Sequence, residues 1–207
     1  MPSFYDRVIL PRLISCSCVG PAVAKMRAKV TPRAQGRVLE LCIGAGANLP
    51  FYDPAKVSAV FSVEPSEALR KRARAAECPH GLSVTILNGA AEALPFDGGE
   101  FDTVLCTFTL CSVTSPETAL TEARRVLKKS GRLLFCEHGL SPDEGVARWQ
   151  GRIEPIWKRI AGGCHLTRQV APAIAKKGFK IESSDARYMR GAPKFAGWCE
   201  WGSALPA

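Results

Sequence analysis

The chain has 207 residues, 46% of them apolar and 23% charged, which is the balance of a globular domain large enough to bury one substantial core. A formal net charge of +9 points toward an anionic substrate or surface, but the densest basic run, Arg70 to Glu77, has no interleaved aromatics, which argues against nucleic acid as a partner. Nine cysteines, an odd set with no C-x-x-C pair, argue against a disulfide framework and against any metal centre; their placement in apolar runs suits a reducing cytoplasm.

Residues 7–30 are apolar but interrupted by Pro11 and Arg12, and no stretch is long enough to span a membrane. The expectation is a helical lid over residues 1–30, with a peripheral membrane contact left open. From Arg37 onward β-rich runs alternate with helical patterns: Arg37–Leu41, Val57–Glu64, Ser83–Leu87, Phe101–Phe108 and Gly131–Glu137. That rhythm predicts parallel strands with helical crossovers. Before the fifth run, Ser115 can cap a helix, Pro116 suits its first position, and Ala119, Leu120, Ala123, Val126 and Leu127 share a face that Gly131 should end. A long helix is predicted over Asp143–Ala161, kinked at Pro155. Its apolar stripe is Val146, Trp149, Ile153, Ile156, Trp157 and Ile160, with Arg148, Arg152 and Arg159 on another stripe. A shorter helix closed by Gly178 follows, and two late strands around Arg190–Pro193 read as an antiparallel hairpin at the sheet edge. Neither a repeat nor a linker divides the chain, so a single domain is expected: lid 1–30, cofactor-binding core 37–137, and substrate-side helices 138–178.

The chemistry is concentrated where the first strand meets "CIGAGANLPFY", Cys42 to Tyr52. Gly44 and Gly46 let backbone approach a ligand, but Leu49 stands where a dinucleotide site needs its third glycine. Walker, nucleophile-elbow and H-E-x-x-H patterns do not occur. Glu40 ends the first strand and Glu64 the second, about twenty residues beyond the turn, a spacing at which a carboxylate can accept both hydroxyls of a ribose.

In this order, "VLELCIGAGAN", "VFSVEPS", "NGAAEALPF" and "FDTVLCTFTLCSV" resemble the motifs of class I S-adenosylmethionine-dependent methyltransferases. "GANLPFYDP", "EARRVLKKSGRLLFCEHG" and "GGCHLTR" resemble the methyltransferase-like family that includes alkyl-thiol methyltransferases and bacterial relatives, although the long hydrophobic N-terminal anchor usual in the thiol enzymes is not seen. The resemblance implies an α/β Rossmann-like fold, a mostly parallel seven-stranded sheet with an antiparallel C-terminal hairpin strand, and S-adenosyl-L-methionine as cofactor. It implies that Gly44 and Gly46 approach the methionine part with Glu40 near its amino group, that Glu64 with Pro65 holds the ribose, and that Ala91 with Glu92 meets the adenine. Cys106 is placed on the cofactor side as well. Cys42 stands at the usual first glycine, and Ala90 where many relatives place an aspartate.

The acceptor side of this fold lies at the ends of strands four and five. His138 is the leading candidate for proton removal or acceptor alignment, with Glu137 and His165 as alternatives. The cysteines there, Cys106, Cys111 and Cys164, read as packing residues. The partner implied is a small-molecule methyl acceptor, first a thiol, then an N- or O-nucleophile on a lipid-like or quinone-like molecule. A non-catalytic module that binds S-adenosylmethionine is the alternative of another class. Oligomeric state is left open.

Overall fold

The computed structural model describes residues 20–207. The first nineteen residues, and with them most of the expected lid, lie outside the described residues. Seven strands form one sheet in the order β3-β2-β1-β4-β5-β7-β6: β1 (Gly36–Leu41), β2 (Val57–Val63), β3 (Val84–Leu87), β4 (Phe101–Thr107), β5 (Leu127–His138), β6 (Phe179–Tyr188) and β7 (Trp198–Pro206). Strands β1 to β5 pair in parallel, and β7 inserts antiparallel between β5 and β6. This is the α/β architecture the alternating runs imply. Its helices are α1 (Pro21–Val30), α2 (Glu67–Arg74), α3 (Pro116–Val126), α4 (Glu144–Ile160), α5 (Val170–Lys176) and the single turn α6 (Lys194–Gly197). No helix among the described residues is long and apolar enough to cross a membrane.

Strand periodicity divides the core in two. Leu39, Val104, Leu133 and Phe135 join Leu120 and Ala123 of α3 and Ile174 of α5 on one face of the sheet. Their neighbours Val38, Leu105, Leu134 and Cys136 join Met26 and Val30 of α1 on the other. Because successive side chains of a strand point to opposite faces, both layers of helices are required to cover a parallel sheet. Helix α1 is therefore a structural layer against β5 and β7.

The segment after the glycine turn forms a single 3-10 turn, Leu49–Phe51. Two local expectations are corrected. Helix α3 is capped by Ser115 through the Thr118 amide as the sequence suggests, but it ends at Val126 and runs directly into β5, whose Leu127 already pairs with Phe101. Gly131 lies inside that strand, where an added Cβ would come within 2.8 Å of the Leu127 side chain; close packing, not helix termination, is its role. Along α4 the apolar stripe stays largely outside: Trp149, Ile156 and Ile160 are 52%, 66% and 52% exposed. The residue α4 buries is Gln150, which donates to the carbonyls of Gly139 and Phe195 and accepts from the Ser141 amide. Three satisfied hydrogen bonds make that polar burial inexpensive, and periodicity alone cannot see them.

Gly202 in β7 tests the sheet. A Cβ there would lie 2.0 Å from the Ser183 carbonyl and 3.0 Å from the Phe135 ring, so Gly202→Ala should cost about 1–3 kcal/mol by overpacking. Gly151, in α4, has open space around it, and Gly151→Ala should stabilise by about 1 kcal/mol. Urea unfolding midpoints of both variants check the pair.

Candidate functional site

The chain reverses after β1 through two consecutive demands on backbone geometry. Cys42 has φ +54° and Gly44 has φ +59°. A non-glycine residue in the left-handed region costs about 1–2 kcal/mol, so Cys42 holds strain where a glycine would hold none. The turn is pinned by amides: Ile43 donates to Ser62 Oγ at 3.2 Å and Gly44 donates to Glu64 Oε2 at 3.0 Å. Glu64 Oε1 accepts from the Ser66 amide at 2.9 Å. Burial raises the Glu64 carboxyl above its usual range, with the Ser66 and Gly44 amides and then Arg70 opposing the rise.

An added Cβ at Gly44 would meet nothing within 4 Å, whereas one at Gly46 would lie 2.9 Å from Ala76 Cβ and 3.2 Å from Ala73 Cα. Of the two glycines the sequence assigns to ligand approach, Gly44 alone presents an open face; Gly46 lets the turn pack against α2. The open face and Glu64 are adjacent, and each Glu64 oxygen retains a lone pair beyond its amide bond. That donor and acceptor set fits a ribose beside a backbone cradle, so the residues present fit the nucleoside of S-adenosylmethionine.

Glu40 lies beneath the turn, 1% exposed. Its Oε1 accepts from Asn48 Nδ2 and its Oε2 from the Tyr52 hydroxyl, each at 2.8 Å. Asn48 Nδ2 also reaches Thr107 Oγ1 at 2.8 Å, and Arg27 Nη1 donates to Asn48 Oδ1 at 3.1 Å and to Thr107 Oγ1 at 2.6 Å. Burial raises the Glu40 carboxyl, and its bonds from Tyr52 and Asn48 and the Arg27 charge partly offset that. The carboxylate lies among Asn48, Tyr52 and the Arg27 charge, whereas Glu64 bonds the Gly44 amide itself, so Glu40 supports the turn from below instead of standing at its open face. Arg27, Asn48, Tyr52 and Thr107 were not singled out from the sequence as parts of this network; the one local signal was a tyrosine and an asparagine within twelve residues of a strand-ending glutamate.

The adenine side is also corrected in part. The Ala91 amide is directed at the Cys42 sulfur, whose thiol is pushed up to about 12, first by burial and then by the Glu64 charge. Glu92 Oε1 accepts from the Thr114 and Ser115 amides at 2.8 and 3.3 Å, so its side chain braces the start of α3. Pro65 is exposed, and its carbonyl accepts from Arg70.

At the end of β4, Phe108 is a second strained residue, φ +53°, with the Arg27 guanidinium 5.0 Å from its ring centre. The next turn is organised by Glu137, fully buried at the end of β5: Oε1 accepts from the Thr109 and Leu110 amides at 2.7 and 3.1 Å and from Cys106 Sγ at 3.4 Å, and Oε2 from the Cys111 amide at 3.4 Å. Cys106 is thus interior, its thiol raised by burial and by Glu137, and not on the cofactor face. Glu137 is a backbone clamp, not a free base. His138, 9% exposed, places Nε2 2.9 Å from Cys164 Sγ. His165 turns away toward α4, its Nδ1 3.1 Å from Glu154 Oε1. The structure therefore brings Glu137 and His138 to the predicted edge but commits both Glu137 oxygens and His138 Nε2 to protein partners, and it turns the His165 ring away from them. A cavity of about 230 Å³ at the same edge is lined by Leu110, Cys111, Pro116, Val170 and Ala173 together with the polar Glu117, Arg168 and Gln169.

Residues 39–135 match the family profile described as a methyltransferase domain. The chain is 39% identical over 146 residues to thiol S-methyltransferase TMT1B of Rattus norvegicus, covering 69% of this chain and 59% of that protein. It is 37% identical over 129 residues to demethylmenaquinone methyltransferase of Clavibacter sepedonicus, covering 61% and 50%. The chain thus spans about three fifths or less of the length of these two relatives. In fold it is similar to the solved structure of a SAM-dependent methyltransferase from Thermotoga maritima, with a TM-score of 0.68, 22% identity, and coverage of 96% and 98% of the two chains.

The strain at Cys42 is directly measurable. Cys42→Gly should be more stable than Cys42→Ala by about 1 kcal/mol, because both lose the thiol and only alanine keeps the left-handed penalty; equal urea midpoints would remove the strain from this turn.

Proposed function

We propose that this chain is a class I S-adenosylmethionine-dependent methyltransferase, a reading supported by the methyltransferase-domain profile and the methyltransferase relatives, and that it transfers a methyl group to the sulfur of a small thiol. The cofactor, when bound, supplies a methyl group activated by a sulfonium. The protein's part is to hold the nucleoside at Gly44 and Glu64 and to align an acceptor at the neighbouring ends of β4 and β5, since an in-line displacement demands close and directed approach.

The observation that carries the reading is the state of the candidate bases. Among the described residues, Glu40 and Glu137 accept protein hydrogen bonds at both carboxylate oxygens, His138 Nε2 faces the Cys164 sulfur and His165 Nδ1 faces Glu154, while the partnerless His138 Nδ1 is buried away from solvent. With these groups so placed, the acceptor best suited is one that ionises readily by itself. A thiol with a pKa of about 8.5 provides a few per cent thiolate at neutral pH, while a phenol near 10 provides far less. The likeness to a protein named thiol S-methyltransferase supports the same choice. A second reading, methylation of a quinone-like acceptor, is favoured by the likeness to demethylmenaquinone methyltransferase and by a 230 Å³ cavity that sets leucine, valine, proline and alanine walls beside the polar Glu117, Arg168 and Gln169.

S-adenosylhomocysteine release, followed with alkyl thiols, amines, phenols and a quinol, discriminates these. Thiols should turn over fastest; preference for the quinol would transfer the assignment to the second reading, and cofactor binding without any turnover would make the chain a binding module.

Glu64 provides an independent check on the cofactor site. Glu64→Ala should weaken S-adenosylmethionine binding by about 1–3 kcal/mol, through loss of a charged acceptor and of the Gly44 clamp, with Glu64→Gln intermediate. Calorimetry on the folded variants measures it, and unchanged affinity in Glu64→Ala would place the ribose elsewhere.

A further inference from the structure

Three side chains that the cofactor site does not use meet at the acceptor edge. Cys111, His138 and Cys164 are all buried, and their sulfur and nitrogen ligand atoms lie within 4.8 Å of one another. Cys164 Sγ is 2.9 Å from His138 Nε2 and also contacts the Cys111 thiol. These residues come from three elements: the turn after β4, the last residue of β5, and the segment joining α4 to α5.

The convergence is held by backbone bonds, not by the cluster itself. Glu137 gathers the amides of Thr109, Leu110 and Cys111. The His165 amide donates to the Cys111 carbonyl at 2.7 Å, and the Leu140 amide donates to the Arg168 carbonyl at 2.9 Å. Arg168 Nη1 ties the same segment to the Leu110 and Val113 carbonyls. On the far side of the imidazole, Nδ1 is buried without a partner among the described residues.

We propose that Cys111, His138 and Cys164 form a binding site for a soft divalent cation, zinc by its chemistry, with the fourth coordination position left for the acceptor thiol. Two thiolates and one imidazole are a donor set that selects zinc over hard cations, and three protein ligands with an open position are the pattern of a catalytic centre, not a structural one. A tetrahedral centre with bonds of about 2.3 Å to sulfur and about 2.0 Å to nitrogen sets nitrogen and sulfur about 3.5 Å apart. The 2.9 Å His138 to Cys164 separation must therefore widen by about 0.6 Å, and among the described residues no hydrogen bond at Nδ1 holds the ring against that shift. Cys111 also lines the 230 Å³ cavity, which gives an acceptor a route to the metal. No local spacing motif announces this site, because its ligands are separated by 27 and 26 positions in the chain.

This assignment deepens the thiol reading and rests on it for the role of the fourth ligand. The acceptor R–SH would bind zinc through sulfur and release its proton to water, because a coordinated thiol is deprotonated outright. A sulfur lone pair of the bound thiolate then forms the new S–CH₃ bond while the methyl–sulfonium bond breaks, its electron pair staying on the sulfur of S-adenosylhomocysteine. The neutral thioether is a poor ligand and leaves.

The test uses the whole chain expressed with added zinc and purified without chelator. Elemental analysis should find a single zinc ion per chain, and cobalt substitution should produce the thiolate-to-metal charge-transfer and strong visible bands of a tetrahedral site. The Cys111→Ser, Cys164→Ser double variant should lose both while keeping the parent's circular dichroism, and Cys78→Ser should keep both. A parent with reduced thiols and neither zinc nor cobalt bands overturns the site, as does zinc retained by the double variant. The open position is tested separately with 2-mercaptoethanol, which should shift the cobalt bands; unshifted bands overturn the fourth-ligand role. Because metal content is read without turnover, zinc bound by a protein that prefers a quinol would leave the metal site standing and remove only the thiol reading.

Discussion

Burying the Glu40 carboxylate beneath the glycine turn obliges the fold to supply donors for it, and those donors tie together parts of the chain that strand pairing alone would leave independent. Asn48 and Tyr52 come from the segment after β1. Arg27 comes from α1, and Thr107 closes the network from the end of β4. Losing one member of such a buried charged set costs about 3–5 kcal/mol, because the remaining groups cannot return to water. Helix α1 is thereby fixed to the carboxyl ends of β1 and β4, and the glycine turn is held in one conformation before any ligand arrives.

The same device recurs twice on a smaller scale. Glu64 clamps the Gly44 and Ser66 amides, and Glu137 clamps the turn that follows β4. Each carboxylate replaces solvent for backbone groups that must face inward where a strand ends, and a buried amide left unmade costs about 1–3 kcal/mol. Strain appears next to these clamps, at Cys42 and Phe108, as expected where surrounding structure over-determines a loop. The consequence for chemistry is that Glu40 and Glu137 are scaffolding, and Glu64 alone of the three clamps also stands beside the open face of Gly44.

How much of this was legible in the sequence follows from the range of the interactions involved. Period-two apolar runs, the Ser115 cap with Pro116, the glycines of the first turn and the strand-ending glutamates are local signals; they determined the strand sequence and the α/β class, and they singled out the turn after β1 as the candidate cofactor face. Tertiary structure decided what each polar residue does there. Glu40 and Glu137 look alike in the chain, each an acidic residue ending a strand, and only their partners assign both to scaffolding. The apolar stripe of α4 reads as core by its spacing, yet the helix is docked through Gln150. The Cys111, His138 and Cys164 cluster depends on three elements meeting at one edge. Hydrophobic periodicity is set by residues a few positions apart, whereas the partner of a buried polar atom is set by packing across the whole fold, as with Arg27 and Thr107 eighty positions apart.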